Sequence, residues 1–62
     1  MKLGDIMDLL HAQGCRVVWI TDGENKVETV FMSDYYSGNS NYKSSDKVRR
    51  MDLVGMPVLE VW

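Results

Sequence analysis

Fourteen consecutive residues, 33–46, read Ser-Asp-Tyr-Tyr-Ser-Gly-Asn-Ser-Asn-Tyr-Lys-Ser-Ser-Asp and hold no Val, Ile, Leu, Met or Phe. A run without aliphatic side chains has little to take out of water, so it is expected to separate the elements that build a core. All three tyrosines and all five serines of the chain fall inside it. Tyr with Ser, Gly and Asn is the composition of adaptable recognition loops. Tyrosine offers broad amphipathic contact for the loss of two torsions, and the smaller residues supply hydrogen bonds. A connection of this length exceeds the usual one inside a compact domain and points to a loop that is either functional or disordered.

Before this run the pattern is regular. Leu3, Ile6, Met7 and Leu10 recur at three- and four-residue spacing, which predicts a helix over residues 4–12, with Asp5 and Asp8 in its first turns and Gly14 behind it as a stop. Residues 15–21 and 27–32 are rich in β-branched and aromatic side chains and read as strands, joined through a hairpin turn over 22–26 that contains Asp22-Gly23. Neither face of the first strand is wholly polar, so the sheet is expected to be covered on both sides, by the helix on one and by a partner or the long loop on the other. Trp19 is assigned to the core or to a subunit interface, and so is Trp62.

Behind the run two readings compete for residues 46–54. Ser44, Ser45 and Asp46 could cap a short helix near 46–53, whereas Val48 to Val54 could form a strand; the strand is favoured because it completes a four-stranded sheet. Residues 58–62 close the chain as a further strand, and truncating it should remove apolar burial worth roughly 1.5 to 3 kcal/mol per large side chain. The expected fold is therefore α+β: one N-terminal helix packed on a small, mainly antiparallel three- to four-stranded sheet, in the order α-β-β-loop-β-β. Residues 1–62 form a single domain.

At 62 residues a domain buries only about 60% of its unfolded surface, so self-association, as a homodimer, is the expected aid to stability. Cys15 has no second cysteine to pair with, and with His11 alone it falls short of a zinc site. A lone cysteine suits the reducing cytoplasm. No window approaches the roughly 18 apolar residues of a membrane span. His11 and Cys15 would make a base and nucleophile only if the helix ran on past Gly14, so Cys15 is read as a small buried hydrophobe and no enzyme is expected. No metal, cofactor or phosphate-loop signature is present.

Two surfaces remain as candidates. Tyr35, Tyr36, Tyr42 and Lys43 make the expected contact with a partner protein, Tyr42 and Lys43 foremost, because Tyr35 or Tyr36 could fold back over the sheet. The alternative is single-stranded nucleic acid, gripped by Lys43, Lys47, Arg49 and Arg50 with the loop tyrosines as stacking partners. Arg49 and Arg50 are adjacent, so in a regular strand only one of them joins a given face. Three cations stand against six carboxylates in residues 1–40, and four against three in 41–62, for a net charge of −2. That balance is far from the strongly basic one that phosphate binding usually leaves.

The opening Met-Lys-Leu-Gly-Asp-Ile-Met-Asp-Leu-Leu, a following hairpin and the closing Val-Leu-Glu-Val-Trp resemble short reading frames of phages, prophages and mobile elements. That resemblance implies an accessory protein, of the kind that includes inhibitors of host enzymes or defence complexes such as anti-CRISPR proteins, and a host protein as its partner. It assigns no residue roles. The expected function is non-enzymatic binding of a macromolecule through residues 33–46.

Overall fold

The structure, a computed structural model, describes residues 1–23 and 26–62, so the turn expected over 22–26 falls partly outside the described residues. Helix α1 (Leu3–Ala12) buries Leu3, Ile6, Met7 and Leu10, the stripe that the spacing sets on one face. It has no side-chain N-cap. Its first free donors are met from far along the chain instead: the Leu3 and Gly4 amides donate to the carbonyls of Asp46 (2.7 Å) and Ser44 (3.0 Å). The orphaned amides of a helix start are thereby satisfied by the polar run itself. Gly14, at φ +84°, turns the chain out of the helix.

Strands β1 (Val17–Thr21) and β2 (Val27–Phe31) pair antiparallel, with Val18 opposite Val30 and Ile20 opposite Glu28. Residues 48–54 resolve as a strand, β3 (Val48–Asp52), which pairs antiparallel with β4 (Val58–Val61). β4 in turn lies parallel to β1, Ile20 opposite Leu59, giving the order β2-β1-β4-β3. The fold is α+β, with one parallel pairing at the centre of a four-stranded mixed sheet. Val18, Ile20, Val30, Val48, Leu59 and Val61 form its inner face and join the buried stripe of α1 in one core.

Two features depart from expectation. The polar run does not begin as a loop: Met32–Ser37 is a second helix, α2, with Met32 and Tyr35 buried one turn apart. Tyr35 supplies the apolar mass that the run lacks in aliphatic form, and Gly38 closes the helix in the left-handed region (φ +82°), its amide reaching the Asp34 and Tyr35 carbonyls. The loop proper is thus shorter than residues 33–46. The second concerns Trp62, which is 72% exposed and contributes nothing to the core, so of its two expected places only a subunit interface is left open, while Trp19 is half-buried on the outer face of the sheet. No described element covers that outer face, so the two-sided covering does not appear within the chain.

Candidate functional site

After α2 the chain is tied into a fixed arch. The Ser40 hydroxyl accepts the Tyr42 amide at 3.0 Å, and the Asp46 carboxylate accepts the Lys43 amide at 2.9 Å while the Asp46 amide donates to the Lys43 carbonyl at 3.0 Å. Asp46 therefore closes a turn on itself and also holds the start of α1 through its carbonyl. α1 and the arch approach so closely that a Cβ on Gly4 would meet the Ser44 Cβ at 2.7 Å. Only glycine fits there without moving backbone.

The gap between arch, α1 and α2 is a cleft of about 430 Å³. Tyr35, Tyr36, Tyr42 and Lys43 all line it, together with Asp8, Ser40 and Ser44. The structure thus brings together the four residues that the sequence assigns to partner contact. Their settings in the cleft differ. Tyr35 is a core residue whose ring meets that of Tyr36 edge-on at 5.0 Å. Tyr42 packs against the core with its hydroxyl beside the Glu28 carboxylate, so it is a wall of the cleft more than a free contact. Tyr36 is the accessible one, 47% exposed, with its hydroxyl donating to Asp8 Oδ1 at 2.5 Å and its ring 5.0 Å from that of His11. Asp8 could have been anticipated from its place on the polar side of α1. Nothing local in the sequence pairs it with Tyr36, 28 positions away.

The tyrosines stay protonated well into alkali. Burial, then the hydrogen bond to Asp8, pushes the Tyr36 hydroxyl up to about 12; burial, then Glu28, does the same for Tyr42. Tyr35 is raised as well, by burial first and then by the negative charges of Asp8 and Asp46. Desolvation disfavours the phenolate, and a neighbouring carboxylate disfavours it further. At neutral pH the cleft therefore presents neutral hydroxyls and aromatic edges, flanked by one carboxylate and one ammonium.

The four basic candidates are divided. Lys43 lines the cleft, and Lys47 lies opposite Lys2 in an isolated bridge. Arg49 and Arg50 belong to the outer sheet face, and both reach it, contrary to the alternation expected of a regular strand. The register slips between Val48 and Arg50: Val48 faces Val61 and Met51 faces Leu59, so two residues fill the space of one. Val61 and Leu59 point inward, and Met51, opposite Leu59, lines one cavity with Ile6 and Leu9 of α1, so Arg49 and Arg50 both turn out on this β-bulge. The Arg49 guanidinium sits 5.7 Å from the centre of the Trp62 ring.

His11 and Cys15 do line one groove, also about 430 Å³, with Arg16, Phe31, Met32 and Tyr36. The Cys15 thiol there points to the Val17 carbonyl, 3.2 Å away, and packs against the core like a small hydrophobe. Among the described residues no group of three or more His, Cys, Asp and Glu could hold a metal ion. Among them, too, no helix is long and apolar enough to cross a membrane.

No family model matches the chain, and no solved structure matches it. Among curated proteins it is similar to YbdJ of Bacillus subtilis, described as an uncharacterised transcriptional regulatory protein, at 34% identity over an alignment 66 positions long. The alignment takes in 95% of this chain and spans only 29% of YbdJ.

Proposed function

We propose that this chain is a non-enzymatic, protein-binding module that takes a short polypeptide segment in the tyrosine cleft. The observation that carries this reading is the convergence of Tyr35, Tyr36, Tyr42 and Lys43 on one cleft, beside which backbone bonds tie the arch to the start of α1. A pre-formed cleft lowers the entropy lost on binding, and accessible aromatic rings flanked by hydroxyls suit a peptide's mix of apolar side chains and amides. The similarity to YbdJ supports a partner engaged in transcriptional control. The free Cys15 supports a cytoplasmic setting.

Selection of peptides from a random library against the folded domain, followed by amide chemical-shift mapping, tests the proposal. Selected peptides should shift the amides of Asp8, Tyr36 and Lys43. Tyr36→Ala should weaken them by about tenfold or more while leaving the fold intact, because this ring is exposed. Peptides that map elsewhere, or that bind Tyr36→Ala unchanged, would remove the cleft as the recognition site.

A further inference from the structure

The uncovered outer face of the sheet has a layout of its own. Its middle is apolar: Trp19 lies beside Val58 of β4 and opposite Thr29 of β2, with Val17 opposite Phe31 in the next row. The Trp19 indole N–H donates to the Thr29 hydroxyl at 3.1 Å, so the one polar atom of that ring is met within the chain. Val27, Phe31 and Trp62 are each more than half exposed. Charge on this face is confined to β3 and β4. Arg50 stands across from Glu60, and Asp52 is exposed on the same side, its Oδ1 holding the Val54 amide at 3.0 Å. Arg49 lies against the Trp62 ring. Two guanidiniums therefore share the face with two carboxylates, and none of the four strands holds a lysine.

From this we infer that the outer face is where a second copy of this chain docks, sheet against sheet across a twofold axis, which gives the expected homodimer its surface. A twofold interface must complement itself, since each position that meets another is met by it in turn. A face that balances its own charge satisfies that demand, whereas a partner of one sign would leave two charges buried without a match. Arg50 and Asp52 sit two positions apart on one strand and on one face, so an axis crossing the strands between them sets Arg50 of each copy against Asp52 of the other. Those pairs lie on β3, an edge strand, while Trp19, Val58 and Phe31 close over the middle. An apolar centre with a polar rim, rich in Trp, Phe and Arg and poor in Lys, is the make-up of a protein interface. Its size is sufficient. About 800 Å² from each partner is usual, under a fifth of the 4420 Å² that the chain exposes and within what one side of a two-layer domain supplies.

The test is sedimentation equilibrium of the intact chain at rising concentration, with amide chemical shifts followed over the same range. The mass should climb from 7.1 kDa toward twice that value. The shifts that move with concentration should be those of Trp19, Thr29, Phe31, Val58 and Trp62. Trp62→Ala should weaken the dimer by about tenfold or more. Arg50→Glu and Asp52→Lys should each be monomeric, because each sets like charges face to face, and an equimolar mixture of the two should dimerise again. All three side chains are exposed, and circular dichroism of dilute, monomeric samples should show the variants folded. Tyr36→Ala should leave the dimer unchanged, which separates this outcome from the test of the cleft. A mass of 7.1 kDa at every concentration up to millimolar, moving shifts confined to the cleft or to the outer edge of β2, or charge variants that still dimerise alone would each overturn the proposal and leave the face to a different partner.

Discussion

Tyr36 donates to the Asp8 carboxylate and Tyr42 lies beside that of Glu28, and that placement has a measurable pH signature. The hydroxyls are held neutral up to about 12, against an ordinary 10.0, so unfolded tyrosine ionises first as alkali is added. Their contribution to stability is complete below pH 10 and is lost between 10 and 12. An ultraviolet titration of the folded protein should show two of the three tyrosines ionising near the upper value. Glu28→Gln should move Tyr42 back toward its ordinary value and leave Tyr36 in place; a titration in which all three ionise near 10 would contradict the observed pairings. The residues of the polar run singled out by type line one cleft, and their exposure in it follows from packing the sequence does not display. Distance from any apolar run made Tyr42 look free, and only its packing against the core, beside Glu28, turns it into a wall.

At the scale of elements, three- and four-residue spacing identified α1, and β-branched and aromatic content identified β1 and β2; β3 was favoured over a helix because it completes a four-stranded sheet, and its own burial shows no alternation. What escaped reading depended on partners. α2 was hidden because one half of its buried pair is a tyrosine in a run otherwise polar. The central β1 and β4 pairing was hidden because alternation fixes which face a residue takes and says nothing of its neighbour strand. The bulge at Arg49 and Arg50 was hidden for the same reason, since its evidence lies in the positions of Val48 and Met51 against β4. Deletion of Arg49 tests it directly. Regular alternation would be restored with Val48 and Met51 still inward, so the loss in chemical denaturation should be small, on the order of 1 kcal/mol. Deletion of Met51 should cost several kcal/mol, because it would bring Asp52 opposite the buried Leu59. Equal losses for the two deletions would argue against a bulge.

For the whole molecule, burial is concentrated where α1 crosses the central strands. Leu59, fully buried between β1 and β3, should cost about 2 to 5 kcal/mol as Leu59→Ala, a large share of what so small a domain holds in reserve. Trp62→Ala should cost about 1 kcal/mol or less, the worth of an exposed contact with Arg49, despite removing the larger side chain. Thermal unfolding of the two variants checks the order, and a greater loss at Trp62 would place that ring in the core. The expectation that the last residues stabilise the fold therefore applies to Leu59 and Val61 and stops short of Trp62. The strand order β2-β1-β4-β3 carries one more consequence. It makes the domain two hairpins, coded one after the other and stitched along a single seam, where β4 lies beside β1 and residues 1–4 lace into 44–48. Cut in the arch between them, such a chain would separate into two pieces with matching edges. It has the architecture of a split reporter, in which neither fragment holds a finished sheet and reunion restores the core and the cleft together.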